Sequence, residues 1–140
     1  MEPMELKLCD IQGRLFESFL QTSYGSESLI RAFMNSKLAV YLDSEYNRMQ
    51  WVGEEYLLEE FLDEQMDTLS VGEQYSREVM YWSGYLYRYW HYATGESSKK
   101  IYRQAGAKTM SRNYMMFHTM DPELAIEDLK EIDWQRKRKI

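Results

Sequence analysis

The chain has a single cysteine, Cys9, so no disulfide can form within it. Two histidines, His91 and His118, are too few for a zinc cage of the usual ligand spacing. No Gly-rich phosphate loop is present, and no paired histidines stand at metal-binding spacing. A nucleophilic site needs Ser or Cys beside a base, commonly His. Cys9 lies on an apolar-patterned stretch and reads as a small core residue. His91 sits among aromatics and His118 follows Phe117, so both read as structural. These absences lead to expectations of no catalytic residue, no metal and no cofactor, and they disfavour an enzyme. No apolar run approaches the 18 residues of a membrane span, and no charged-then-apolar leader is evident, which points to a cytoplasmic protein.

Only two prolines interrupt 140 residues rich in Leu, Met, Glu, Lys and Arg. That composition predicts an all-α fold, a compact bundle of five to seven helices in one domain. Apolar spacing places helices over about 5–22, a short one around Leu29–Met34, Lys37–Leu42 and Glu54–Gln65, with Ser26 as an N-cap. Ser97 caps a helix through about Gln104, and Lys108–His118 follows after a turn at Ala105-Gly106. Asp121-Pro122 starts the last helix, with Asp as cap and Pro at the first helical position.

What is abundant is aromatic. Tyr75 to Tyr92 holds eight Tyr and Trp residues and ends near Thr94-Gly95. Helical spacing puts Tyr81, Tyr85 and Tyr89 on one stripe, and Trp82, Leu86 and Trp90 on a second about 100° round. A helix aromatic on more than one side is either buried centrally or offers a side to a partner. For the second case Tyr85, Tyr89 and Tyr92 are candidate anchors, with Arg88 able to pair with a carboxylate or stack. Core packing is the default for the same residues.

Charge is the second asymmetry. Residues 1–75 carry 15 acids and 5 bases; residues 76–140 carry 8 acids and 12 bases. Thr68–Gly72 separates an acidic half (1–70) from a basic, aromatic-rich half (71–140). Glu55, Glu59 and Asp63 follow at i, i+4 steps on one helix face, where each like-charge pair costs roughly 0.2–0.5 kcal/mol. Either the face is simply solvated, or a basic surface lies near it, in this chain or in a partner. Lys99, Lys100, Arg103, Lys108 and Arg112 fall in a stretch with a loose helix-turn-helix look, making a DNA-binding regulator a further reading. The acidity of the whole chain works against phosphate affinity.

Two segments resemble small bacterial antitoxin-like or accessory proteins encoded beside predicted ADP-ribosyltransferase-like toxins. The first contains Phe33, Ser36, Lys37, Leu42, Trp51, Gly53, Tyr56 and Glu59, with Glu54-Glu55 where that domain often has Pro-Ser. The second contains Tyr81-Trp82, Gly84-Tyr85, Tyr87-Arg88-Tyr89-Trp90, Ser97-Ser98-Lys99, Tyr102, Tyr114, His118-Thr119, Asp121-Pro122 and Ala125-Ile126. The resemblance implies a non-enzymatic antitoxin with a protein partner. Beside it stands an inhibitor whose acidic helix imitates nucleic-acid phosphates. The partner itself is not named by the sequence.

Overall fold

In the computed structural model, which describes residues 1–139, eight α-helices follow one another and no strand occurs among the described residues. They are α1 (Pro3–Ser18), α2 (Ser26–Met34), α3 (Lys37–Asp43), α4 (Glu54–Gln65), α5 (Arg77–Thr94), α6 (Ser98–Gln104), α7 (Ala107–Phe117) and α8 (Pro122–Arg138). The all-α expectation holds, with one helix more than the upper bound of seven. The short pieces α3 and α6 stand as separate helices because each has its own serine cap. Ser36 Oγ accepts from Ala39 N–H at 3.0 Å, and Ser97 Oγ from Lys100 N–H at 3.1 Å. No described helix is long and apolar enough to cross a membrane.

The aromatic helix α5 is central. It starts where Ser76 Oγ accepts from Val79 N–H and stops where Gly95 takes φ 78°, donating its N–H to His91 O at 2.8 Å. Its longest seam is with α1, and that seam rests on Gly84. A Cβ there would lie 2.5 Å from the Gln12 backbone oxygen and 2.9 Å from Phe16. The two helices therefore approach backbone to backbone, and Gln12 Nε2 donates to Gly84 O at 3.0 Å. Through this seam the acidic and basic halves of the chain share one core.

Phe16, Phe19, Phe33 and Phe61, from α1, the 3-10 turn after it, α2 and α4, meet with ring centroids 5.1–6.3 Å apart. Tyr87 joins them from α5, edge-on to Phe16, with its hydroxyl donating to Ala105 O at 2.6 Å. Full burial of such rings stabilises by roughly 1.5–3 kcal/mol each. Tyr87 lies on neither sequence stripe, yet it is the most completely buried tyrosine of α5.

One local expectation is corrected. Ser26 is not the N-cap of α2; Gly25 is. The Ser26 hydroxyl instead accepts from Tyr75 N–H at 2.9 Å. The 68–73 stretch between α4 and α5 is hydrogen-bonded to the start of α2: Gly25 N–H donates to Ser70 O, Ser26 N–H to Glu73 O, and Ser70 N–H to Ser28 Oγ. Gly25 and Gly72 make this possible, since a Cβ on Gly25 would stand 2.8 Å from the Gly72 Cα.

Candidate functional site

α5 and α7 diverge at the surface and leave an open groove of about 730 Å³. That is within the usual range for binding clefts. Its walls are Tyr81, Trp82 and Tyr85 from α5, Tyr114 from α7 and His118 just past the end of α7, with Glu17, Arg77 and Glu78 at the rim. The rings are ordered against one another. Tyr81 and Tyr85 lie 6.0 Å apart, and Trp82 meets Tyr114 edge-on at 5.7 Å. Tyr114 stacks on His118 at 4.3 Å and 15°. All five side chains are half-buried, so each keeps part of its surface for a partner.

The polar tips are held selectively. Tyr81 Oη donates to Asp10 of α1, and burial, with that bond behind it, raises its pKa well above the ordinary tyrosine value. His118 Nδ1 lies 2.8 Å from Tyr114 O. A carbonyl only accepts, so Nδ1 carries the proton and Nε2 remains to accept, or to donate if the ring is protonated. The Tyr85 hydroxyl bonds none of the described residues, unlike those of Tyr81 and Tyr89 on either side. At the rim, Arg77 is engaged by Glu17 at 3.0 Å, whereas Glu78 has no ion pair among the described residues.

The residues singled out from the sequence are dispersed. Tyr85 lines the groove. Tyr89 stacks on Tyr85 at 6.3 Å and donates to Glu123 Oε1 at 3.3 Å, half-buried beyond the groove. Tyr92 turns away into a separate hollow beside Met1, Glu5 and Ile126. Arg88 is 1% exposed and is not a surface anchor. Its guanidinium is engaged by Asp43 Oδ1 at 2.7 Å and Gln12 Oε1 at 2.8 Å, because a cation on the core face of α5 must be paired there.

Glu55, Glu59 and Asp63 are exposed on α4, and none has an ion pair among the described residues. Glu64, the residue after Asp63, has a structural use: its carboxylate accepts Lys37 N–H at 2.8 Å and Leu38 N–H at 3.3 Å, capping α3. Of the basic candidates, Lys99, Arg103 and Arg112 are exposed and have no ion pair among the described residues, Lys100 reaches Glu96 at 3.4 Å, and Lys108 reaches Glu27 at 3.7 Å. α6 has only seven residues, and α7 packs against α2 with the Lys108–Glu27 surface pair at their contact.

Sequence reasoning missed Tyr81, Trp82, Tyr114 and His118 as site residues. The i, i+4 pairing of Tyr114 with His118 was the available signal. It also missed a run of exposed aromatics on the other side of the acidic helix: Tyr41, Tyr46, Trp51 and Tyr56, of which Tyr46 is 90% exposed. The groove and α4 are linked across α1. Tyr81 bonds Asp10, Asp10 pairs with Arg14 at 2.9 Å, and Arg14 approaches Glu54 of α4 at 3.8 Å. No metal-binding cluster occurs among the described residues. Comparison with protein-family models, with curated proteins and with solved structures gives no match.

Proposed function

We propose that this chain is a non-enzymatic interaction protein, an antitoxin that neutralises a toxin enzyme by binding it through the α5–α7 groove. One observation carries the reading. The segment resembling antitoxin-like proteins contributes Tyr81, Trp82, Tyr85, Tyr114 and His118, and these residues, up to 37 positions apart, converge on one groove. Other residues of the same segment, Tyr87, Arg88 and Trp90, serve the core. Tyr and Trp with one apolar face and one polar tip are the side chains that concentrate binding energy in interfaces. A partner seated in the groove and crossing α1 would reach the acidic face of α4. The test is co-expression with the product of the adjacent gene. The expected result is relief of growth inhibition together with a complex recovered by pull-down. Neither relief nor a complex would end the reading.

A second reading has its own support. Glu55, Glu59 and Asp63 have no cation partner among the described residues, as carboxylates imitating a run of phosphates would. In that case the partner is a nucleic-acid enzyme, and neutralising these three side chains abolishes inhibition while the groove variants leave it unchanged.

A further inference from the structure

The fold joins two basic segments that the sequence keeps apart, and it does so through shared anchors. Arg136 near the end of α8 donates to Gln104 O, the end of α6, and also pairs with Asp133 at 2.7 Å. Lys130 of α8 donates to Gln104 Oε1 at 3.0 Å and to Glu96 Oε1 at 2.7 Å. The inner cations are therefore held in place by two largely buried carboxylates. Each carboxylate takes two cations: Glu96 holds Lys100 and Lys130, and Asp133 holds Arg136 and Lys137. The local sum is positive before the outer residues are added. Arg103 and Lys99 on α6, and Arg138 and Lys139 at the end of α8, are exposed and without carboxylate partners among the described residues. Glu131 and Glu127 stand one and two turns before Trp134 on the same face of α8 and bound the patch there.

An aromatic ring completes this surface. Trp134 is 50% exposed, and the Arg138 guanidinium carbon lies 4.5 Å from its ring centroid. Fixed cations for a backbone beside an exposed ring for a base are the two elements of single-strand recognition. The surface has no free helix to enter a duplex groove, since α6 is two turns long and lies against α8. We propose that this basic end, formed by α6 and the last turns of α8, is a binding surface for single-stranded nucleic acid, read by backbone charge and stacking rather than by sequence. It lies apart from the α5–α7 groove and does not depend on its function.

The experiment is fluorescence anisotropy of a labelled dT20 and a labelled U20 with the full chain at 50 and 200 mM salt. With about four phosphates neutralised at a single-strand slope of about −0.7 each, affinity should fall about 50-fold between those salts. Arg103→Ala with Arg138→Ala should weaken binding and shallow the slope by about 1.4. Trp134→Ala should weaken binding about 5-fold or more while leaving the slope unchanged. Arg48→Ala, exposed in the separate hollow between α3 and α4, is the control and should bind as wild type does. Circular dichroism of each variant keeps misfolding apart from lost contact. No binding at 50 mM salt overturns the proposal, as does binding that the patch variants leave unchanged. Equal affinity for a 20-base-pair duplex overturns the single-strand assignment.

Discussion

Arg88 of α5 and Asp43 at the end of α3 meet 2.7 Å apart, with 1% and 13% of their side chains exposed. Around the pair, Asp43 Oδ2 accepts Ser98 N–H at 2.8 Å, Asp43 Oδ1 accepts the Ser98 hydroxyl at 2.7 Å, and Gln12 Oε1 takes the Arg88 Nε–H. One guanidinium thus joins α1, α3, α5 and the start of α6. Removing one partner strands a buried charge, which typically costs about 3–5 kcal/mol. Asp43→Ala should lose that much in urea denaturation. Asp43→Ala combined with Arg88→Met should lose clearly less than the sum of the single changes, since no charge is then left unpaired. Additive losses would mean the pair is not the joint described.

Gly84→Ala should destabilise by about 1–3 kcal/mol or more, read as a lowered thermal midpoint. The obstacle is the Gln12 backbone oxygen, which can move only with α1. Gly13→Ala should cost less, because its two closest contacts are the Tyr81 ring at 2.7 and 2.8 Å, a side chain at the edge of the groove. The reverse order would contradict the backbone-to-backbone seam.

Glu96 predicts an acid-limb signature. Burial alone would raise its carboxyl, but hydrogen bonds from Lys130, Trp90 Nε1 and Gln104 outweigh it and hold the pKa at about 2. The folded value is below the unfolded one, so the unfolded chain takes up the proton first as pH falls. The stabilisation is full above about pH 4.5, on the order of 3 kcal/mol, and is lost progressively toward pH 2. Urea denaturation across that range should show wild type losing its advantage over Glu96→Gln. A constant difference between the two would exclude this role.

Much of this architecture is legible in the sequence. α4 spans the expected 54–65, α5 stops at its Gly95, α6 follows its Ser97 cap, and Asp121-Pro122 opens α8. These features are local, set by caps and periodicity. The departures are non-local. Arg88 resembles a surface anchor until Gln12 and Asp43, 76 and 45 positions away, are seen to receive it. Nothing local records that the Gly25 and Ser26 amides at the start of α2 donate to Ser70 O and Glu73 O. The groove itself depends on how α7 returns beside α5, which no spacing within either helix records.

The acidic face makes a kinetic prediction. Glu55→Gln, Glu59→Gln and Asp63→Asn together should leave stability unchanged or slightly raised, since like charges at i, i+4 have been removed. Association with the partner should slow at low salt and lose much of its salt dependence, with a smaller change in dissociation. Equal association rates for wild type and this variant at low salt would rule out a steering role for α4.

The most direct measurement is the affinity of groove variants for the co-expressed partner by titration calorimetry, alongside their thermal midpoints. Tyr85→Ala and Trp82→Ala should each weaken binding about 30-fold or more, the size of an interface hot spot, while the fold remains intact. Trp134→Ala, half-exposed on α8 and outside the groove lining, should bind as wild type does. Folded groove variants that bind the partner with unchanged affinity would contradict the account.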